Sequence, residues 1–159
     1  MAEPIREQAL GAIVTLLRGM TGDRPGPDGL PWGQYPNDPI VVRGYQDEAL
    51  VNEYPSLFVA RRPGSSVKEE TTVGGMVGVF HSFLIDIYGY VQTANNVPAS
   101  TWLERLWDDV YTVLMANWTL GGICQQITFD AEDDYDEDMV KAGFRMGLTA
   151  ILYESKVIA

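Results

Sequence analysis

The sequence predicts an α+β domain, in which a mostly antiparallel β-sheet of about 4–5 strands carries two α-helices packed on one face. The first observation is a long segment from Pro98 to Gly122, whose apolar residues recur every third or fourth position. The second is the alternation of side chains along two long segments, Met76 to Val91 and Val140 to Val157. The third is that no repeat or linker divides the 159 residues, so a single domain over 1–159 is expected.

The first helix is predicted over Glu3 to Met20, because one face of this segment is apolar. That face comprises Ile5, Ala9, Ile13, Leu16, Leu17 and Met20. Proline and glycine forbid regular structure over most of Thr21 to Pro39, which predicts a long loop. Leu30, Trp32 and Tyr35 give this loop apolar anchors, either onto its own core or onto a neighbouring molecule.

Short β-prone runs follow the loop. Strands are predicted at Ile40 to Tyr45 and at Tyr54 to Arg62, and the polar segment from Gly64 to Gly75 is predicted to be an extended hairpin loop. In the long strand that comes next, alternation places one set of side chains beneath the helices. That set comprises Phe83, Ile85 and Ile87.

The segment from Pro98 to Gly122 is predicted to be the helix that covers the sheet. Pro98, Ser100 and Thr101 provide its start signal, since proline fits the first turn and a hydroxyl there can accept an unpaired backbone N–H. Gly121 and Gly122 provide its end, since glycine adopts left-handed conformations readily. Its apolar stripe comprises Leu103, Leu106, Trp107, Val110, Leu114 and Trp118.

The C-terminal part is predicted to form two strands. The first runs from Ile123 to Phe129, the acidic run from Asp130 to Asp138 is predicted to be its loop, and the second runs from Val140 to Val157. Together with the covering helix, these segments define the predicted structural core. The core candidates are Leu106, Trp107, Val110, Leu114, Phe83, Ile85, Phe144 and Leu148.

Composition excludes several classes of protein. The formal charge of -11, from 22 acidic and 11 basic residues, argues against a general nucleic-acid binder, because phosphate binding needs clustered Lys and Arg. No apolar segment approaches the roughly 20 residues that span a bilayer, and no signal-peptide pattern opens the chain. We therefore expect no membrane contact and synthesis in a cytoplasm.

Motifs for catalysis, cofactors and metals were sought and none is predicted. A single cysteine, Cys124, excludes an intramolecular disulfide; it is expected to be a small buried residue, with a reactive thiol as the alternative. His81 and Ser82 point to opposite faces of a strand and so cannot form a nucleophile and its base. The glycines near position 75 lack the spacing of a phosphate-binding loop. The acidic run lacks the glycine that an EF-hand needs and has Lys141 at the twelfth position, which leaves a solvated loop or weak divalent-ion binding.

Charge is unevenly distributed along the chain. The run from Asp130 to Asp138 carries seven carboxylates in nine positions, whereas Arg61, Arg62 and Lys68 lie close together elsewhere. Two oppositely charged regions on one molecule suit like subunits that meet head to tail. The alternative is that both regions are ordinary solvated loops.

A pattern of segments covers nearly the whole chain: "EPIREQALGAIVTLLRGM", "PIVVRGY", "SLFVARRP", "GVFHSFLIDIYGYV", "WLERLWDDVYTVLMANWTLGGICQQITF" and "AGFRMGLTAILYESKV". In this order they resemble the tail terminator proteins of long-tailed bacteriophages, the minor tail protein U-like group. The most telling part is a helix closing in "TLGG", followed by a short strand, a variable polar segment and a long terminal strand. The loop from Thr21 to Pro39 lies outside this pattern.

The resemblance implies a structural protein of the virion tail, without a cofactor. Such a protein assembles with itself into a ring, which the resemblance implies to be a hexamer, at the head-proximal end of the tail tube. It stops polymerisation of the tail tube protein and offers a surface to the head-tail connector or stopper protein. Genomic DNA passes through the ring without specific binding, which an acidic lumen would favour because carboxylates repel phosphate.

Charged residues are the candidates for these contacts. Those predicted for a subunit or tail-tube interface are Arg61, Arg62, Lys68, Asp130, Asp133, Asp134 and Asp136. Those predicted to face the lumen or rim are Glu69, Glu70, Glu132, Glu137 and Asp138. Two other functions stay open: a head-completion or neck protein of the same virion, and a small acidic module that binds a host protein or ligand without forming rings.

Overall fold

The computed structural model describes residues 3–20, 35–44, 51–71, 74–138 and 140–157, with the side chains of 71, 131–138 and 157 outside that description. A short 3-10 helix, Leu120–Gly122, separates the second α-helix from the strand that follows it. The elements in chain order are α1 (Ile5–Arg18), β1 (Ile40–Arg43), β2 (Ser56–Arg61), β3 (Ser66–Thr71), β4 (Met76–Gln92), α2 (Ala99–Ala116), β5 (Gln126–Asp138) and β6 (Lys141–Val157).

Strand β4 is the centre of the sheet, which has six strands in the described chain. Along one side β4 pairs with β6 over its full length, from Met76 opposite Val157 to Gln92 opposite Lys141. Along its other side it pairs first with β3 and then with β2. Strand β1 lies parallel to β2 at one edge, and β5 pairs antiparallel with β6 at the other. The two edges of the sheet are therefore built from different parts of the chain.

The predicted α+β class, with two helices and a mostly antiparallel sheet, is confirmed. The sheet has six strands in the described chain, compared with about four or five predicted, because the segment from Gly64 to Gly75 contains β3. Ser66 and Thr71, the ends of β3, pair with Ser82 and Val77 of β4. Strand pairing has thus overridden the weak strand propensity of a polar sequence.

The acidic run was predicted to be a loop, and this prediction is wrong. Strand β5 continues through the run to Asp138 and pairs with β6 until Asp138 lies opposite Lys141. The 17-residue β6 offers a long partner for backbone hydrogen bonds, and these bonds determine the conformation of the run. Charged residues are common on edge strands, since they discourage pairing with another sheet.

The core lies between the two helices and one face of the sheet. Odd-numbered residues of β4 and even-numbered residues of β6 face the helices, as in the pair Ile85 and Leu148. Trp107 is partly buried and packs against this core. The other seven core candidates are 0% exposed, namely Leu106, Val110, Leu114, Phe83, Ile85, Phe144 and Leu148.

The start of α2 differs from the prediction in its capping group. Pro98 is the N-cap residue, and no side chain at the cap accepts a hydrogen bond. Ser100 and Thr101 lie inside the helix, whereas Thr93 Oγ1 accepts the Ala99 N–H at 3.2 Å. A hydroxyl six residues upstream therefore satisfies a free N–H at the start of the helix.

The end of α2 is partly as predicted. Gly121 and Gly122 have φ angles of 71° and 92°, the left-handed conformations expected of them. The helix itself ends earlier, at Ala116, so Trp118 leaves the apolar stripe and is 51% exposed. Trp102, which was not assigned to the stripe, is instead only 4% exposed. One helical turn thus separates the predicted and observed ends of the buried stripe.

Helix α1 packs its apolar face onto the sheet and also protects an edge. Its buried residues include Ile13 and Leu17. Arg18 donates from Nε and Nη2 to the carbonyl oxygen of Val41 at 3.3 and 3.1 Å. This contact occupies an acceptor on β1, the edge strand, that would otherwise be free to pair with another chain. No helix among the described residues is long and apolar enough to cross a bilayer.

Candidate subunit interface

Two predicted interface residues, Arg62 and Asp130, contact each other within one subunit. Arg62 Nη2 lies 3.1 Å from Asp130 Oδ2. Arg62 directly follows β2, and Asp130 lies at a β-bulge in β5, where the register shifts between Phe129 and Ala131. A bulge re-aims a side chain, which explains how Asp130 reaches a residue beyond two intervening strands. The prediction of two separate charged regions is therefore wrong for Arg62 and Asp130, which lie together in one subunit. Their part in a subunit interface stays a prediction.

The Arg62 side chain is also held by a buried carboxylate. Asp86, on the sheet face opposite the helices, is 5% exposed. Its Oδ1 lies 3.4 Å from Nη1 of Arg62 and 3.4 Å from Nη1 of Arg145. The Tyr88 hydroxyl donates to Asp86 Oδ2 at 3.3 Å. A buried charge requires such partners, so this cluster accounts for Arg62 within the subunit.

Arg61 and Lys68 lie on opposite faces of the sheet. Arg61 pairs with Ile85, whose side chain faces the helices, so Arg61 faces them as well. Lys68 pairs with Phe80, which lies five positions before Ile85 in β4 and therefore faces the other way. The predicted basic region thus divides, and only Arg61 remains on the helix-bearing face.

A second arginine joins Arg61 on that face. The guanidinium carbons of Arg6 and Arg61 lie 5.2 and 5.6 Å from the centroid of the Phe83 ring. Among the described residues, neither arginine forms an ion pair, and the nearby Glu7 already contacts Arg43 at 2.7 Å. The two side chains border an open crevice, here called the arginine crevice. Its lining residues are Arg6, Arg61, Arg62, Pro63, Gly64 and Ser65.

His81 fixes the position of Arg6. Arg6 Nε donates to His81 Nδ1 at 3.0 Å, and His81 Nε2 lies 2.9 Å from Glu154 Oε1. Because the arginine Nε can only donate, Nδ1 must be the unprotonated nitrogen, and Nε2 carries the proton that Glu154 accepts. This chain of contacts orients Arg6 so that its terminal nitrogens remain at the crevice.

The acidic run lies on β5, the edge strand. In the described backbone β5 pairs with β6 alone, and Asp133 is in register with Arg145. The side chains of Asp133 and of the five other candidates in the run lie outside the described residues, so their roles stay predictions. These candidates are Asp134, Asp136, Glu132, Glu137 and Asp138. Glu69 and Glu70 are exposed on β3 and are in register with Val79 and Gly78, which places them on opposite faces.

An aromatic surface adjoins the beginning of β5. Trp107 and Tyr111, one helical turn apart on α2, stack with ring centroids 5.0 Å apart, and Tyr111 lies 4.7 Å from Phe129. Met115 follows at the same spacing, and both it and Trp118 are exposed. The Trp107 indole N–H is buried without a hydrogen-bond partner in the described chain. We call Trp107, Tyr111, Met115 and Trp118 the α2 surface.

Cys124 has the properties of a packing residue. It is buried, and its thiol approaches the carbonyl oxygen of Trp118 at 3.5 Å. Burial raises the pKa of the Cys124 thiol to about 11, because the charged thiolate is poorly solvated there. The thiolate is the reactive form, so the native protein should hold Cys124 unreactive at neutral pH.

Tyr35 anchors the described end of the predicted loop onto its own core. Its hydroxyl donates to Asp109 on α2, and its ring lies 6.0 Å from that of Trp102. Burial, and then the negative charge of Asp109, raise the pKa of Tyr35. The other two predicted anchors, Leu30 and Trp32, lie outside the described residues. In the described part of the chain, no group of three or more His, Cys, Asp or Glu side chains could hold a metal ion.

The sequence analysis did not single out three residues that shape this region. Asp86 carried a detectable signal, since a lone carboxylate within an apolar strand must find a buried partner. No local pattern indicated a role for Arg6 or Arg145. Their contacts, with His81 and Asp86, join residues 75 and 59 positions apart. Long-range register, which fixes these contacts, is not encoded in any local pattern.

Comparison with known proteins adds no family assignment. No protein-family model matches the chain, and no curated protein matches it.

Proposed function

We propose that this chain is a structural virion protein that forms a ring at the head-proximal end of a bacteriophage tail tube. The ring, a hexamer by resemblance, ends tube polymerisation and offers the surface that joins the tail to the head. The proposal rests on the resemblance of the segment pattern to tail terminator proteins. One structural observation supports it, which is the presence of unlike surfaces on the two sides of the central strands.

The two sides differ in charge and composition. The arginine crevice lies where β2 turns into β3, whereas the acidic run and the α2 surface lie along β5. Strands β4 and β6 separate β2 from β5, a distance of about 14 Å at the usual strand spacing. A ring of identical subunits uses a heterologous interface, which needs two different patches on each subunit. This arrangement supplies two such patches.

The α2 surface has the composition of an interface centre. Protein interfaces are enriched in Trp, Tyr and Met, and a few large aromatic residues often supply most of the binding energy. Trp118 and Met115 are exposed, and the polar group of Trp107 has no partner among the described residues. Contact with a neighbouring subunit would cover the exposed side chains of Trp118 and Met115.

The negative charge of the chain fits passage of DNA through the ring. With a formal charge of -11, the protein repels phosphate and does not retain the genome. Exposed Glu69 and Glu70 on β3 are candidates for the lumen or the rim, as are acids of the β5 run. In this proposal the partners are further copies of the chain, the tail tube protein and the head connector, and no cofactor is needed.

The test mixes the purified protein with polymerising tail-tube subunits and examines the tubes by negative-stain electron microscopy. Tubes of finite length with a ring at one end are expected, whether the free protein is a monomer or a hexamer. Uncapped tubes that grow without limit would contradict the proposal. Binding to the isolated head connector in that case would favour the neck protein, and an inability to form rings with either component would favour a small acidic binding module.

A further inference from the structure

We propose that the arginine crevice receives the acidic run of a second copy of this chain, with Arg6 and Arg61 binding its carboxylates. This inference rests on the proposed function in one respect, since it names the contact that joins neighbouring subunits of the ring. It commits to residues 132–138 of strand β5 as the occupant, since Asp130 binds Arg62 within its own subunit.

Both arginines are available and held in place. In the described chain, Arg6 donates only its Nε–H, which bonds to His81, and Arg61 lies against the ring of Phe83 without an ion pair. Each therefore keeps its terminal N–H groups for a carboxylate, which a planar guanidinium can bind through two parallel hydrogen bonds. Contact with Phe83, which is 0% exposed, limits the motion of both guanidinium groups, so less entropy is lost when they bind.

The walls of the crevice strengthen such a contact. Pro63 and Gly64 form its apolar side, and Ser65 adds a hydroxyl whose oxygen accepts the Leu84 N–H at 2.9 Å. The hydroxyl hydrogen of Ser65 is therefore free to be donated to an acceptor. A partner that closes the crevice would exclude water from around the guanidinium groups and increase the strength of the charge interaction.

The acidic run of the same subunit is not the occupant. Arg61 lies on β2, whereas the backbone of the run lies on β5 beyond β4 and β6. Among the described side chains, the link from Arg62 to Asp130 crosses the opposite face of the sheet. A second copy, in contrast, can bring its β5 edge to the crevice without rearranging either subunit.

The charges of the two regions match. Beyond Asp130, six carboxylates lie in the seven positions 132–138 of the run, opposite in charge to the two arginines of the crevice. The formal charge of -11 repels DNA and a second copy of the chain alike, but the acidic strand β5 is a partner that the structure itself contains. The inference therefore commits to a carboxylate segment, and binding of phosphate is an outcome of the test.

The experiment is a charge swap measured by sedimentation velocity on the full chain at low ionic strength. Arg61→Glu alone, and Asp134→Lys with Asp136→Lys, should each weaken self-association by at least about tenfold. An equimolar mixture of the two variants should restore association, because each reversed patch then meets a reversed partner. Raising the salt concentration should weaken association of the wild-type protein, since it screens exposed charges.

Matched controls separate this contact from a general effect of charge. Lys68→Glu makes the same change of charge as Arg61→Glu, but on the other face of the sheet, and should leave association unchanged. Glu70→Lys, on β3, makes the same change of charge as Asp134→Lys alone and should leave association unchanged, so these two single variants are compared with each other. Thermal melting of each variant, followed by circular dichroism, establishes that it is folded before its association is measured.

Three results of the sedimentation experiment would overturn the inference. They are a wild-type protein that stays monomeric at low salt, an Arg61→Glu variant that associates normally, and a mixture that fails to regain association. Binding of a labelled DNA oligonucleotide that Arg61→Glu abolishes and Lys68→Glu preserves would assign the crevice to phosphate instead. If Arg61→Glu still forms rings that cap tubes normally, the contact between the arginine crevice and the acidic run is overturned, but the proposed function is not. If the wild-type protein associates but leaves tubes uncapped, the proposed function is overturned, but the contact is not.

Discussion

Arg62 and Asp130, 68 positions apart in the sequence, contact each other at 3.1 Å across the face of the sheet opposite the helices. The contact depends on Asp86, which lies between them in the sheet and binds the same guanidinium. It also depends on Thr149, whose hydroxyl bonds to the Asp130 carboxylate. These interactions tie the end of β2 to β5 across β4 and β6, so the charges of Arg62 and Asp130 stabilise the subunit that contains them.

Replacing Asp86 with alanine should destabilise the fold. The change leaves Arg62 and Arg145 without their shared carboxylate in a region where Asp86 is 5% exposed. Loss of one partner from a buried pair is costly, but both arginines retain some contact with solvent, so we expect a loss of about 2–3 kcal/mol. Urea unfolding followed by circular dichroism would measure it. Asp108→Asn, at an exposed position of α2, is the control and should change stability by less than about 0.5 kcal/mol.

A pair of glycine substitutions should have effects of opposite sign. A Cβ added at Gly89 would lie 2.3 Å from the ring of Phe144, which is 0% exposed and has no space to move, so Gly89→Ala should cost about 1–3 kcal/mol. A Cβ added at Gly11, in the middle of α1, meets nothing within 4 Å. Gly11→Ala should therefore stabilise the protein by about 0.5–1 kcal/mol, because alanine favours the helix. Thermal unfolding of both variants tests the pair, and equal effects would contradict it.

The parts of the fold that the sequence predicted well are those with local patterns. Alternation in β4 correctly placed Phe83 and Ile85 on the helix-covered face, and positive φ was correctly expected at Gly121. In contrast, β3 and the acidic half of β5 have few β-branched or apolar residues. They form strands because β4 and β6 extend far enough to pair with them. Such pairing depends on the neighbouring strand, so the sequence of the segment itself does not predict it.

The candidate site was predictable only in outline. Arg61 and the acidic run could be found from charge, but the separation of Arg61 from Lys68 required the register of β2 and β3 against β4. Arg6 could not be assigned to the crevice from sequence, because the packing of α1 on the sheet sets its distance to Phe83. The position of a residue within an element is local information, whereas the contacts between elements are not.

The Cys124 thiol should react slowly in the folded protein. Its pKa of about 11 leaves about one thiolate in a thousand at pH 8, compared with about one in ten for a thiol at the ordinary value of 9.0. A colour assay with a disulfide reagent would measure the rates in buffer and in urea. Reaction in buffer at the rate seen in urea would contradict the prediction.

The same shift predicts a dependence of stability on pH. Since the pKa of Cys124 is higher in the folded state than the ordinary 9.0, the folded state favours the protonated thiol. This contribution is fully present below about pH 9 and is lost as the pH rises towards about 11. The free energy of unfolding should therefore fall over that interval in the wild-type protein. Cys124→Ala should show a smaller fall, and an identical fall in both proteins would exclude Cys124 as its source.

Two tryptophans near opposite ends of α2 should separate folding from association. Trp102 is 4% exposed, and its indole N–H donates to the carbonyl oxygen of Ala94 at 3.2 Å, so Trp102→Ala should cost about 3–5 kcal/mol. Trp118 is 51% exposed, and its carbonyl oxygen, which accepts the Ile127 N–H, remains after substitution. Trp118→Ala should therefore change monomer stability by less than about 0.5 kcal/mol.

If the α2 surface joins neighbouring subunits, the same variant should nevertheless weaken self-association by about tenfold or more, since exposed aromatic residues often dominate an interface. Urea unfolding at low concentration and sedimentation velocity at high concentration measure the two effects separately, and a stable Trp118→Ala variant that associates normally would remove this surface from the proposed contact.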